Sequence, residues 1–80
     1  MNKTAIITGA SRGIGAASAY AFAQAGYHLS LCCSHSSSDL KQLAAKLQAE
    51  FHTEVLTFTG DVGDHDFVHE MVNATISHFM

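Results

Sequence analysis

Residues 8–15 read Thr8-Gly9-Ala10-Ser11-Arg12-Gly13-Ile14-Gly15, or TGASRGIG, directly behind the apolar run Ala5-Ile6-Ile7. Glycine loses more backbone freedom on folding than any other residue. Three of them in one short stretch mark a turn that needs unusual backbone angles or very close approach. The segment before the turn, Lys3 to Thr8, reads as a strand. The segment after it, Arg12 to Ala25, reads as a helix that ends at Gly26 in the C′ role. Its alanines (Ala16, Ala17, Ala19, Ala21, Ala23, Ala25) form helix readily and permit close approach to a sheet. The glycines therefore belong to a turn between a first strand and a first helix.

The same alternation continues outward. His28 to Cys33 reads as a second strand. Ser36 with Asp39 forms a capping-box pattern ahead of Leu40, Leu43, Ala44, Leu47 and Phe51, the spacing of one helical face. Glu54 to Thr59 reads as a third strand. Asp64 can cap a third helix, along which Phe67, Met71, Thr75 and Phe79 recur at every fourth position beside Val68 and Val72. Strands alternating with helices of this length imply right-handed crossovers and a parallel α/β sheet.

The bulk numbers narrow the class. Eighty residues with 48% apolar content fit one small globular domain, residues 1–80. Such a chain buries only about 60–65% of its unfolded surface, so its stability is modest. Four Lys or Arg residues against seven Asp or Glu leave no basic stripe, which excludes a nucleic-acid partner. No apolar stretch approaches the roughly 18 residues of a membrane span, and no signal-type apolar region follows Met1, so a cytoplasmic setting is expected. Cys32 and Cys33 are adjacent and would point to opposite faces of a strand, so they read as two small reduced side chains. His65 and His69 share a helix face but lack a third ligand at a defined spacing, so no metal site is expected.

A helix N-terminus carries unpaired N–H groups and about half a positive charge, and so attracts phosphate. Gly9 suits the tight turn, Gly13 lets the backbone approach a pyrophosphate, and Gly15 lets the helix sit close on the strand. The spacing G-x-x-x-G-x-G differs from the general G-x-G-x-x-G fingerprint and from a P-loop.

Thr8-Gly9-Ala10-Ser11-Arg12-Gly13-Ile14-Gly15 resembles the TGxxxGIG motif of the short-chain dehydrogenases/reductases, most closely the 3-oxoacyl-acyl-carrier-protein reductase group. Asp61-Val62 after the third strand is similar to that family's adenine-contacting Asp-Val. The resemblance implies a Rossmann-type three-layer α/β/α fold with strand order 3-2-1, cut short before a fourth strand. It implies a hydrogen bond from the adenine amino group to Asp61 and a backbone contact at Val62. Cofactor contacts are thus expected at Gly9, Ser11, Arg12, Gly13, Ile14, Gly15, Ser34, His35, Asp61 and Val62.

NAD sites usually place an acid near the end of the second strand. Here Cys32-Cys33-Ser34-His35-Ser36 carries none before Asp39, and Arg12 adds a cation to the glycine turn. NADP is therefore expected ahead of NAD, although ordinary loop polarity would also account for Ser34 and His35. The family's catalytic Ser and Tyr-x-x-x-Lys have no counterpart, since Tyr20 is followed four on by Gln24 and Tyr27 by Leu31. No catalytic residue is expected within these 80 residues. The chain is expected to supply the dinucleotide-binding half of an NAD(P)-dependent carbonyl or 3-oxoacyl reductase and to be inactive alone. A non-catalytic nucleotide-binding module and a non-functional truncated product are the alternatives. Without a fourth strand, Ile6 and Ile7 of the first strand would lie on a bare edge, which predicts that the isolated chain self-associates or folds poorly.

Overall fold

A computed structural model describes residues 3–11, 13–35 and 38–79. Its elements run β1 (Thr4–Thr8), α1 (Gly13–Gln24), β2 (His28–Cys33), α2 (Ser38–Phe51), β3 (Val55–Thr59) and α3 (His65–Phe79). The three strands form one parallel sheet with β2 in the centre. Thr4 pairs with His28 and Thr8 with Cys32, while Leu29 pairs with Val55 and Cys33 with Thr59. The expected order 3-2-1 is this order read from the other edge.

The pleat assigns the faces. Leu29, Leu31 and Cys33 join Ala10, Ala19, Ala23, Leu40 and Leu47 in one buried cluster, with Ala5, Ile7 and Val55 packed against it. This is the layer between the sheet and α1 with α2. Burying a leucine fully contributes about 1.5–3 kcal/mol, so Leu29, Leu31, Leu40 and Leu47 dominate the core. On the other face, the Ser30 hydroxyl meets Thr75 Oγ1 at 2.7 Å, and the Thr75 hydroxyl donates to the Met71 carbonyl at 2.7 Å. That bond fastens α3 to the central strand and completes the third layer.

The helix ends follow their local chemistry. Gly26 adopts φ 93°, and its N–H donates to the Ala23 carbonyl at 3.0 Å while Tyr27 N–H donates to the Phe22 carbonyl at 3.0 Å. This is a Schellman motif, and its accompanying apolar contact is the Phe22–Tyr27 ring pair, 4.9 Å between centroids. Asp64 caps α3, its Oδ1 accepting from Asp66 N–H at 2.9 Å and Phe67 N–H at 3.4 Å. The Ser36 capping box falls outside the described residues. At the end of α2, His52 takes the left-handed position at φ 55°, which no turn residue in the sequence announces.

β1 lies at an edge of the sheet, as expected. Ile6 is 41% exposed, but Ile7 is half-buried and packs on the main cluster. Adjacent strand residues face opposite ways, and α1 and α2 cover the Ile7 side.

Candidate functional site: a cleft at the ends of the three strands

Each glycine of the first turn meets a distinct demand. Gly9 and Gly13 adopt φ 61° and 64°, in the left-handed region that penalises a Cβ. A Cβ on Gly15 would lie 2.0 Å from the Gly9 carbonyl oxygen and 2.7 Å from its carbon, so only hydrogen fits between α1 and the turn. Ala10 is fully buried, and its N–H donates to the Cys32 carbonyl at 3.1 Å, fixing the turn to the end of β2.

The start of α1 is free of acidic side chains, and Ile14 there is 87% exposed. The first N–H groups of a helix have no partner within it and share about half a positive charge. The start of α3 contrasts with this, because Asp64 already occupies its N–H groups.

Parallel strands joined by right-handed crossovers bring their C-terminal ends to one edge. There a cleft of about 220 Å³ is lined by Thr8, Gly9, Cys32, Cys33, Ser34, Gly60, Asp61 and Val62. Gly60 N–H donates to the Cys33 carbonyl at 3.0 Å, which holds the end of β3 against β2. A Cβ on Gly60 would come within 2.5 Å of the Phe67 ring, so this glycine lets α3 close over the turn. Asp61 is exposed, and its Oδ1 accepts the Gly63 N–H at 2.8 Å, which orients the carboxylate and leaves lone pairs on both oxygens for further donors. Both cysteines are buried and free. Burial pushes the Cys32 thiol up from its ordinary value, and neighbouring Cys33 adds to the shift. Cys32 therefore stays neutral and places no charge in the cleft.

Of the residues expected from the sequence, Gly9, Ser34, Asp61 and Val62 line the cleft together. Gly13, Ile14 and Gly15 form the entrance to α1, and Ser11 is half-buried in the turn before it. His35 is exposed one residue beyond Ser34 and is not among the lining residues. Arg12 lies outside the described residues. Thr8, Cys32, Cys33 and Gly60 were missed as lining residues. Their signal was positional, since each stands at or just after the C-terminal end of a strand.

A parallel sheet whose glycine turn opens a helix toward a cleft at the strand ends is a Rossmann-type α/β fold. Residues 3–80 match the family model for short chain dehydrogenase, and the chain belongs to that family. It is 38% identical over 77 residues to an uncharacterized oxidoreductase, YhdF, of Bacillus subtilis, covering 96% of this chain and 26% of that protein. It is 33% identical over 79 residues to the 3-oxoacyl-acyl-carrier-protein reductase FabG of Staphylococcus epidermidis, covering 99% of this chain and 32% of that one. Among solved structures, L-sorbose reductase from Gluconobacter frateurii, complexed with NADPH and L-sorbose, superposes with TM-score 0.88 at 36% identity, covering 98% of this chain and 29% of that one. The chain thus spans about a quarter to a third of the length of these relatives. No described helix is long and apolar enough to cross a membrane.

Proposed function

We propose that this chain forms the NADP-binding part of a reductase that delivers hydride to a carbonyl, with a 3-oxoacyl thioester as one candidate substrate. The carrying observation is the fit between Gly15 and the Gly9 carbonyl, which ties the start of α1 closely to a residue that lines the cleft. In this reading main-chain amides of the loop from Gly9 to Gly15 receive the paired phosphates. Asp61 accepts a hydrogen bond from the adenine amino group, and the Val62 backbone lies beside the ring. When bound, the dinucleotide supplies the hydride.

The end of β2 supports NADP over NAD. Ser34 and His35 offer hydrogen-bonding groups there, and an acid that would repel a 2′-phosphate is absent from both positions. Arg12 would add a cation. The 80 residues contain no Tyr-x-x-x-Lys, so this stretch by itself binds without turnover. The unpaired buried cysteines suit a reducing compartment such as the cytoplasm. Among the described residues β1 is an edge strand, and pairing along it with another chain is the self-association this reading expects.

Calorimetric titration of the chain with NADPH and NADH tests the assignment. NADPH should bind at least tenfold more tightly, and Ser34→Asp should remove that preference. Equal affinity for the two, unchanged by Ser34→Asp, refutes the NADP reading. Absence of binding by a folded chain refutes the site itself.

A further inference from the structure

At the end of the sheet opposite the cleft, one imidazole sits between two preset hydrogen-bond partners. His28 opens β2. Its Nδ1 accepts the Glu54 N–H at 3.0 Å, so the ring stands in for a backbone carbonyl just before β3 begins. Leu29 N–H donates to the Glu54 carbonyl at 2.9 Å, which continues the same ladder. The Thr53 hydroxyl oxygen also lies 3.1 Å from Nδ1. Thr53 is buried, and its own proton goes to the Tyr27 carbonyl. That oxygen can therefore only accept from the ring.

We infer that His28 is a proton-operated switch between Glu54 N–H and Thr53 Oγ1. A neutral imidazole has one acceptor nitrogen, and here Glu54 N–H engages it. A proton added at Nδ1 turns that acceptor into a donor. The new N–H finds the Thr53 oxygen already within reach, and Glu54 N–H loses its partner.

The switch also touches α3. The Phe79 ring stacks on His28 at 5.2 Å with 2° between planes, and His78 packs edge-on against Phe79. His78 Nε2 lies 3.5 Å from Glu54 Oε1, in an exposed pair. Protonation of His78 would strengthen that pair, so it opposes the effect at His28. From the β1 side, the Lys3 carbonyl accepts His28 N–H at 2.8 Å, while the Lys3 ammonium lies over the Tyr27 ring. Acid therefore loosens the start of the β2–β3 ladder beside the end of α3, whose other end follows the Asp61–Asp64 turn.

Nitrogen-detected NMR of the His28 ring and amide exchange at Glu54, followed from about pH 8 to about pH 5, test this. At the upper end the ring should carry its proton on Nε2, with the Glu54 amide protected. At the lower end Glu54 protection should fall by about tenfold relative to amides inside β2, the scale of one lost hydrogen bond. In His28→Asn the Oδ1 takes the place of Nδ1 without titrating, so Glu54 should stay protected throughout. His78→Gln should keep the native response. An Nδ1–H tautomer at the upper end, unchanged Glu54 protection, or a response abolished by His78→Gln would each overturn the proposal. The tautomer reading needs only the native chain, so it stands even if a variant fails to fold.

Discussion

Gly15→Ala probes the contact on which the site rests. In a helix, replacing glycine by alanine ordinarily stabilises by about 0.5–1 kcal/mol. Here the added carbon would sit 2.0 Å from Gly9 O, 2.7 Å from Gly9 C and 3.0 Å from Ala10 Cα. All three are backbone atoms, so no side chain can swing aside. Relief requires α1 to move away from the turn by more than an ångström. Overpacking of this kind costs about 1–3 kcal/mol and occasionally more, which outweighs the helical gain. We expect a net loss of about 2 kcal/mol, a large part of the stability of an 80-residue chain. Gly13→Ala is the control. Among the described residues outside its immediate neighbours nothing lies within 4 Å of its Cβ position, but φ is +64°. Its cost is the left-handed conformation alone, about 1–2 kcal/mol, reduced by the smaller entropy of the unfolded chain. Urea denaturation followed by circular dichroism gives the stabilities, and NADPH calorimetry reads the turn. Gly15→Ala should be the less stable of the two and should weaken NADPH binding at least tenfold. A Gly15→Ala chain as stable as the native one, with unchanged NADPH affinity, would refute the close-approach argument.

Two further outcomes follow from the core. Thr75→Val leaves the Ser30 hydroxyl fully buried without its partner, so it should cost about 1–3 kcal/mol in urea denaturation; Ser30→Ala with Thr75→Val should cost less than the sum of the two single changes. The Cys32 thiol is raised above its ordinary 9.0 by burial and by Cys33, so the folded state favours the neutral form. Its contribution to stability is present below that ordinary value and lost as pH rises through the raised one. The urea midpoint should therefore fall on going from neutral to strongly alkaline solution, and Cys32→Ala should fall less steeply over the same interval.

The fold was legible because its signals are local. Apolar runs of strand length, a four-residue helical recurrence and the turn residues Gly9, Gly26 and Asp64 each act over a few neighbours, and the structure keeps all of them. The glycine turn was legible for the same reason, since positive φ at Gly9 and Gly13 is a property of those residues alone. What the sequence could not decide depends on distance between elements. Nothing around Gly60 announces that Phe67, seven positions on, will press against it. Nothing in His28 reveals that its ring will accept an N–H from Glu54, because that bond exists only once two parallel strands take their register. The meeting of Thr8, Cys33 and Asp61 around one cleft is likewise a product of topology. By itself the sequence determined the elements and the backbone freedom of the turn. Tertiary structure decided which side chains share a space, because parallel pairing carries the ends of distant strands to one edge of the sheet.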